Sequence, residues 1–328
     1  MIVSASDYRV DIRHFPSELF RESGIESAAS RYGWTEGSDF RFGLEFEFYL
    51  RDEGPEEAVR ELLESSLSVF AEKIAYLPYG IEENKECDTW YVERDLSLDE
   101  SEYGFELVSP LFSDARSIPY YVEMACGAIA RSGYATDQCG VHLHVSSPNG
   151  GAFDLIKALL LSERRGTFEA WRDRSLYAKD LCRVLANSDI GDFLRHYPTI
   201  TKFYNLNLIE GNHTEVRCYG GDGYLSEPSK IVRGMKEFIA LYADAIEPER
   251  AAEEYAEALS EHGRRLAANG GPKEAVTTEE ISVVAAKIAE NEGYDLEVAA
   301  EIAVSLLEEE RIVPRVRKTK RRAGKTMA

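Results

Sequence analysis

Residues 41–50, RFGLEFEFYL, alternate cleanly between apolar and polar side chains over their central part. Successive side chains on a strand point to opposite faces, so this period reads as a β-strand. Leu44, Phe46 and Phe48 share one face, and Glu45 and Glu47 share the other. The apolar face is built to pack on a core. The other face sets two carboxylates side by side, and these repel each other unless a cation or a proton lies between them.

The same division recurs along the chain. In CGVHLHVS (139–146), Val141, Leu143 and Val145 oppose His142 and His144. In HTEVRCY (213–219), Val216 opposes Glu215 and Arg217. In FYNLNLI (203–209), Tyr204, Leu206 and Leu208 oppose Asn205 and Asn207. These last two segments are joined by the turn EGN and read as a hairpin. In GFELVS (104–109), Phe105 and Leu107 oppose Glu106, and TWYVERD (89–95) reads as a further short strand. A half-exposed strand ordinarily carries Thr, Ser, Lys and mixed charges on its wet face, whereas here Glu and His dominate. Cys139 and Cys218 are offset by an odd number from His142 and Arg217, so they read as core. Trp90, Tyr91 and Tyr204 read as packing.

Helical periodicity covers 55–76, with Pro55 in its first turn, and 117–132, ending near Gly133. Residues 152–186 read as mostly helical, and the pattern stays helical from Leu225 onward. It includes an acidic amphipathic helix over 249–268, a linker NGGP at 269–272, and a helical pair over 278–311 broken near Gly293. Residues 1–40 predict loops and a short helix. Strands mixed with helices, followed by a helical C-terminal third, predict an α+β fold: a mainly antiparallel sheet with helices on one side. Four segments follow: an N-terminal segment 1–40, a catalytic domain 41–248, an acidic helical extension 249–310 and a basic tail 311–328, expected to be disordered.

The chain has 328 residues, of which 44% are hydrophobic and 30% charged, enough for a core that needs no disulfide. Its five cysteines are scattered without a CxxC pair, which excludes a disulfide framework and a zinc ribbon. The opening MIVSASDYRVDIRH lacks an apolar leader core and no later run reaches membrane-spanning length, so the expectation is a cytoplasmic protein without a membrane partner. Net charge is −21, which argues against nucleic acid as a partner of the body. Residues 311–328 carry eight Lys or Arg and no acid, leaving 30 basic against 59 acidic residues, or −29, before them. That tail reads either as a solubilising end or as an anchor for an anion, nucleic acid or the acidic body of a neighbouring subunit.

Several Glu with one His and no cysteine motif favour hard or borderline ions such as Mg²⁺ or Mn²⁺, while an H-x-H pair also suits Zn²⁺. Arg217, two residues from Glu215, adds a fixed cation of the kind that binds phosphate bidentately. ExE, HxH and ExR are each common without a ligand. Together, on strands with the same apolar partners, they indicate one metal-holding face. There is no GxxxxGK[ST] loop and no dinucleotide fingerprint, so metal would carry most of any phosphate binding.

At these residues the chain resembles the amidoligase family of glutamine-synthetase-like carboxylate–amine ligases. GLEFEF (43–48), WYVERDLSLD (90–99), GFELVSP (104–110), CGVHLHVS (139–146) and HTEVRCY (213–219) occur in the family's order and span about residues 40–245. The resemblance implies a curved antiparallel sheet with helices on its convex face, and a concave face that binds ATP and two or three divalent metals. A substrate carboxylate takes the γ-phosphate, and an amine then displaces phosphate to leave an amide or isopeptide bond. The family's metal positions fall on Glu45, Glu47, Glu106, His142 and Glu215, and its phosphate-binding arginine on Arg217. His144 would sit nearer the acyl substrate, and Asp95 would bind metal or the incoming amine, or accept its proton. Lys202 stands where an arginine is expected ahead of the asparagine strand. Asn205 and Asn207 read equally as contacts to substrate or ribose and as bridges between strands. The region after about residue 248 has no counterpart in the family, and it or the body would support homo-oligomers, as is common in the superfamily. Two other readings stay open: a Zn²⁺ hydrolase using His142 and His144, which the lack of an HExxH helix disfavours, and a non-catalytic protein that binds a partner through its acidic helices or tail. The acid and the amine, whether metabolites, peptides or proteins, are left open.

Overall fold

The computed structural model describes residues 9–10, 18–34, 39–51, 59, 62, 66–67, 71, 73–77, 85–95, 97–98, 104–174, 178–196 and 204–268. The strands are β1 (Arg9–Val10), β2 (Arg41–Leu50), β3 (Ile74–Leu77), β4 (Trp90–Arg94), β5 (Gly104–Val108), β6 (Gly133–Tyr134), β7 (Gly140–Ser146), β8 (Leu206–Glu210) and β9 (His213–Gly220). The helices are α1 (Glu18–Tyr32), α2 (Ser117–Ser132), α3 (Leu155–Arg165), α4 (Leu181–Ala186), α5 (Ile190–His196), α6 (Pro228–Ile246) and α7 (Ala252–Ala268). The strands form one sheet in the order β1-β3-β4-β5-β2-β7-β9-β8, with β6 pairing β2. Among these strands only β3 and β4 pair in parallel, and the other strand pairings are antiparallel; an isolated parallel bridge also joins Lys179 to Tyr204. This is the expected α+β architecture.

Phe42, Leu44, Phe46 and Phe48 of β2 are fully buried, as are Leu107 of β5, Val141, Leu143 and Val145 of β7, and Val216 of β9. Helices α2 and α6 lie against these strands. Their own sequences explain why. Ile118, Val122, Ala125 and Ile129 of α2 recur at three- and four-residue steps, as do Ile231, Met235, Phe238 and Tyr242 of α6, and all are buried. Helix α3 is defined by its ends: the Asp154 side chain accepts from the Lys157 N–H, and Gly166 closes the helix in the left-handed region. Helix α7 is held by ion pairs from Arg164 to Glu257 and Glu261 and from Arg165 to Glu254.

The chain divides into two compact units. The first comprises Met1–Arg183 and Thr201–Gly263 and contains the whole sheet; the second comprises Val184–Ile200 and Arg264–Ala328. Within the second, Asp189 Oδ1 accepts from the Gly191 N–H and so starts α5.

Three local expectations change. The helix expected over 55–76 does not reach its end, because Ile74–Leu77 is strand β3, paired in parallel with Trp90–Glu93. A short apolar run suits a strand as well as a helix, and tertiary pairing decides between them. Within residues 1–40 the expected helix is α1, fifteen residues long, and Arg9–Val10 forms an edge strand that the reading of the sequence did not foresee. The helical stretch 152–186 is broken by Gly166 into α3, a 3₁₀ turn over Glu169–Arg174, and α4. The linker 269–272, the helical pair 278–311 and the tail 311–328 lie outside the described residues. No helix among the described residues is long and apolar enough to cross a membrane.

Helix α6 approaches β9 so closely that a Cβ added at Gly234 would lie 2.8 Å from the Tyr219 ring and 3.0 Å from the Trp171 Nε1. On α2, a Cβ at Gly127 would meet nothing within 4 Å. The same substitution should therefore have opposite signs at the two sites. Gly127→Ala should stabilise by about 0.5–1 kcal/mol through helix entropy. In Gly234→Ala the same gain is outweighed by overpacking worth about 1–3 kcal/mol. Urea unfolding midpoints check both, and a Gly234→Ala protein as stable as the parent would mean that the helix can shift.

Candidate functional site

Strand register turns the alternation read from sequence into a two-dimensional array. Glu47 of β2 is directly opposite Glu106 of β5, and Glu106 is directly opposite Glu93 of β4. One row of the sheet thus carries three carboxylates on adjacent strands, which lie about 4.8 Å apart. In the next row Glu45 is opposite His142. In the third, His144 is opposite Glu215, and Glu215 is opposite Asn207 of β8. Between the pairs Leu143–Val216 and Val141–Tyr219, β9 carries one more residue than β7. This bulge lets Arg217 stay with Glu215 on the polar face while Tyr219 turns to the helices, where it packs edge-on against Trp171.

The hydrogen bonds show how the array is held. His142 Nδ1 lies 2.9 Å from Glu45 Oε2 and 3.5 Å from Glu215 Oε1, and its Nε2 lies 3.3 Å from Glu47 Oε1. His144 Nε2 lies 3.1 Å from Glu45 Oε1. Arg217 Nη1 donates to Glu215 Oε1 at 2.5 Å, and Asn207 Nδ2 donates to Glu215 Oε2 at 3.0 Å. The Gly140 N–H donates to Glu47 Oε2. Gly140 is required here, because a Cβ would sit 2.7 Å from His142 Nε2 and 2.9 Å from Glu47 Oε2. Behind the face, the Tyr224 hydroxyl donates to the Glu47 carbonyl at 2.9 Å.

These contacts shift the titrations in opposite directions. Burial works against the charge on Glu45, but hydrogen bonds from His142 and His144 outweigh it and hold the carboxyl well below its usual range. Glu215 is lowered in the same way, with burial opposed by Arg217 and His142. His144 is raised: burial works against its charge, and the bond to Glu45 prevails. Burial first, and then the charges of Glu45, Asp95, Glu93 and Glu47, push Glu106 up to about 9. Glu45 and Glu215 are therefore ionised at neutral pH, and Glu106 keeps its proton.

Glu45, His144 and Glu215 each offer a ligand atom, and these atoms lie within 4.8 Å of one another. On an ion with bonds near 2.1 Å, cis ligands lie about 3.0 Å apart and trans ligands about 4.2 Å apart. The 3.1 Å between His144 Nε2 and Glu45 Oε1 is the spacing of neighbouring ligands on such an ion. Three buried polar atoms at the same place, His144 Nε2, Arg217 Nε and Asn207 Oδ1, lack a hydrogen-bond partner of good geometry in the protein. Two carboxylates and one imidazole suit Mg²⁺, Mn²⁺ or Zn²⁺ by chemistry. The residues present therefore fit a divalent ion.

The sequence-derived residues distribute as follows. Glu45, Glu47, Glu106, His142, His144, Glu215, Arg217 and Asn207 come together on the polar face. The converging set contains His144, for which the resemblance implies a place nearer the acyl substrate, alongside Glu45 and Glu215. His142 stands among three carboxylates beside it. Asp95 is half-buried beside the array, and its Oδ1 accepts from the Ser97 N–H at 2.8 Å and the Ser97 hydroxyl at 2.7 Å. Asn205 is buried and its side-chain oxygen accepts from the Leu181 N–H at 3.1 Å, which joins chain segments within the fold. Lys202 lies outside the described residues. Cys139 and Cys218 are buried, as expected of core.

Sequence reading missed three members. Glu93, buried at 4% exposure, extends the carboxylate row and pairs with Lys85 at 2.6 Å. His213 Nε2 lies 3.1 Å from His144 Nδ1. The signal for Glu93 and His213 was present: each lies two residues before a residue already assigned, Asp95 and Glu215, and so on the same face. Lys85 precedes β4 in a loop and has no such signal.

No protein-family model matches the chain, and no curated protein is similar to it at a significant level. Among solved structures, a crystal structure of a novel glutamine synthase homolog aligns over 88% of this chain and 72% of its own, at 10% identity and a TM-score of 0.31. A likeness of that size assigns no residue and no activity.

Glu106 gives a measurable consequence in the metal-free protein. Between about pH 4.5 and about pH 9 the unfolded chain has released this proton and the folded chain keeps it. The folded state then binds more protons, so this group makes stability fall as pH rises across that window. His144, raised in the fold, contributes with the same sign, so the test is a comparison of proteins. Thermal unfolding in chelator should show a shallower loss for Glu106→Gln than for wild type, with the variant the more stable above about pH 7. Parallel curves would exclude Glu106 as the source.

Proposed function

We propose that this chain is an ATP- and divalent-metal-dependent carboxylate–amine ligase, which makes an amide or isopeptide bond through an acyl phosphate. The observation that carries the reading is the convergence of Glu45, His144 and Glu215 beside Arg217, whose buried Nε has no protein partner. The strand motifs that resemble amidoligases support the same reading, since they contain these residues.

Carboxylates acylate amines poorly because their leaving group is poor, and phosphorylation replaces it with a good one. In this reading Glu45, Glu215 and His144 hold a cation, with Glu47, Glu106 and His142 available for further ions. A bound divalent ion supplies charge neutralisation on the phosphate oxygens. Arg217 is anchored through Nη1 to Glu215, so its remaining N–H groups are aimed without reorganisation at an anion on the face. Asn207, fixed by the same carboxylate, turns its amide oxygen toward a donor such as a ribose hydroxyl or the incoming amine. An amine must lose a proton as it attacks. Asp95, beside the carboxylate row and held by Ser97, is placed to accept it. The substrate carboxylate belongs to a small molecule or a peptide.

The expected result is Mg²⁺- or Mn²⁺-dependent ADP release that rises when the right acid and amine are both present. Arg217→Ala should lower kcat by about 10³-fold, as loss of a transition-state arginine does. Arg217→Lys should recover only part of that, because an ammonium lacks the planar fork. Glu45→Gln and Glu215→Gln should abolish metal-dependent turnover. Absence of ATP binding by calorimetry with either metal present would overturn the proposal, and stoichiometric zinc with hydrolysis in the absence of nucleotide would replace it with the hydrolase reading.

A further inference from the structure

His213 has no role in the ligand set above, and contacts of its neighbours on either side set its position. It is the first residue of β9, reached through a turn whose Gly211 is left-handed at φ +58°. The next residue, Asn212, fastens that turn to the loop after β7: its Nδ2 donates to the carbonyls of Ser147 at 2.7 Å and Gly151 at 3.2 Å. From α6, the Tyr242 hydroxyl donates to the Asn212 carbonyl at 2.6 Å. The pairing of Thr214 with Val145, and Thr214's complete burial, then fix the register. His213 therefore shares a face with Glu215 and Arg217 and lies diagonally across from His144, within reach of an imidazole.

The contact that results is specific. His144 Nδ1 lies 3.1 Å from His213 Nε2, with ring centroids 5.3 Å apart. On its other side His144 turns Nε2 to Glu45. Two hydrogen arrangements satisfy the imidazole pair. If His213 donates, His144 Nδ1 accepts and its Nε2 carries the hydrogen, so His144 faces Glu45 as a donor and has no lone pair for a cation. If His144 Nδ1–H donates to His213, the lone pair on Nε2 points at Glu45 and Glu215, where a shared ion would sit. Ligating histidines commonly rely on such a partner on the far nitrogen, which fixes tautomer and ring orientation.

We propose that His213 is a positioning residue that accepts a hydrogen bond from His144 Nδ1 and so presents His144 Nε2 to a divalent cation held with Glu45 and Glu215. This rests on the metal-dependent reading above and assigns His213 no contact with substrate or metal.

The test uses the full-length protein and Mn²⁺ titrated by calorimetry, with wild type, Glu45→Gln, His213→Leu and His213→Gln compared. The expected pattern is tight binding by wild type, loss in Glu45→Gln, weakening by about 10–100-fold in His213→Leu, and recovery of most of that in His213→Gln, whose amide oxygen can accept from Nδ1–H. A second readout is ¹⁵N-histidine NMR of the Mg²⁺-loaded wild type, in which His144 should carry its hydrogen on Nδ1. Failure of wild type to bind either metal would overturn the metal-dependent reading and this inference with it. Unchanged affinity in His213→Leu, with Glu45→Gln still deficient, would overturn the inference alone. So would a His144 hydrogen on Nε2 in the Mg²⁺-loaded protein, a result that does not depend on whether the leucine variant folds.

Discussion

Glu93, Glu106 and Glu47 occupy directly opposed positions on three neighbouring strands, and two of the three are largely buried. Like charges at that spacing oppose folding, so the sheet exists only if each carboxylate is neutralised in some way. The chain uses a different device for each. Glu93 has Lys85, Glu47 has the Gly140 amide and His142, and Glu106 keeps a proton. One row further on, Glu45 takes two imidazoles and Glu215 takes Arg217. The apolar reverse of the same strands makes the arrangement affordable, because the Leu44–Phe46–Phe48 stripe and its partners bury enough surface to hold the strands in register against this repulsion.

Regularity alone would not produce the site. A perfect two-residue period along β9 would turn Tyr219 to the polar face together with Glu215 and Arg217. The extra residue in β9 keeps Arg217 beside Glu215 and sends Tyr219 to the helices, where α6 can approach only because Gly234 has no side chain. Gly140 does the same on the polar side, leaving space between His142 and Glu47. Asn212 ties the β8–β9 turn to the loop after β7, so the end of β9 is as well defined as its middle. The backbone exceptions therefore lie around the polar array, and each one aims or makes room for a particular side chain.

The array also divides its labour by electrostatics. At neutral pH, Glu45 and Glu215 are ionised and sit with His144 at ion-binding distances, while Glu106 is neutral. A site arranged in this way is poised to exchange a proton for a cation.

The sequence by itself determined the two faces. Strand geometry has a strict period, so the alternation in RFGLEFEFYL and CGVHLHVS was enough to place Glu45, Glu47, His142 and His144 on one side and the core on the other. It also determined α2 and α6 through their three- and four-residue apolar steps. Applied fully, the same rule would have found Glu93 and His213. What period cannot supply is which strands are neighbours and in what register. Only the tertiary structure decided that Glu106 lies between Glu47 and Glu93, that both His142 and His144 reach Glu45 and Glu215, and that Ile74–Leu77 is a strand. The reason is physical: side-chain direction is fixed locally by the backbone, whereas distance across a sheet depends on pairings between segments tens of residues apart, on a single-residue bulge, and on the loop contact that brings Lys85 to Glu93.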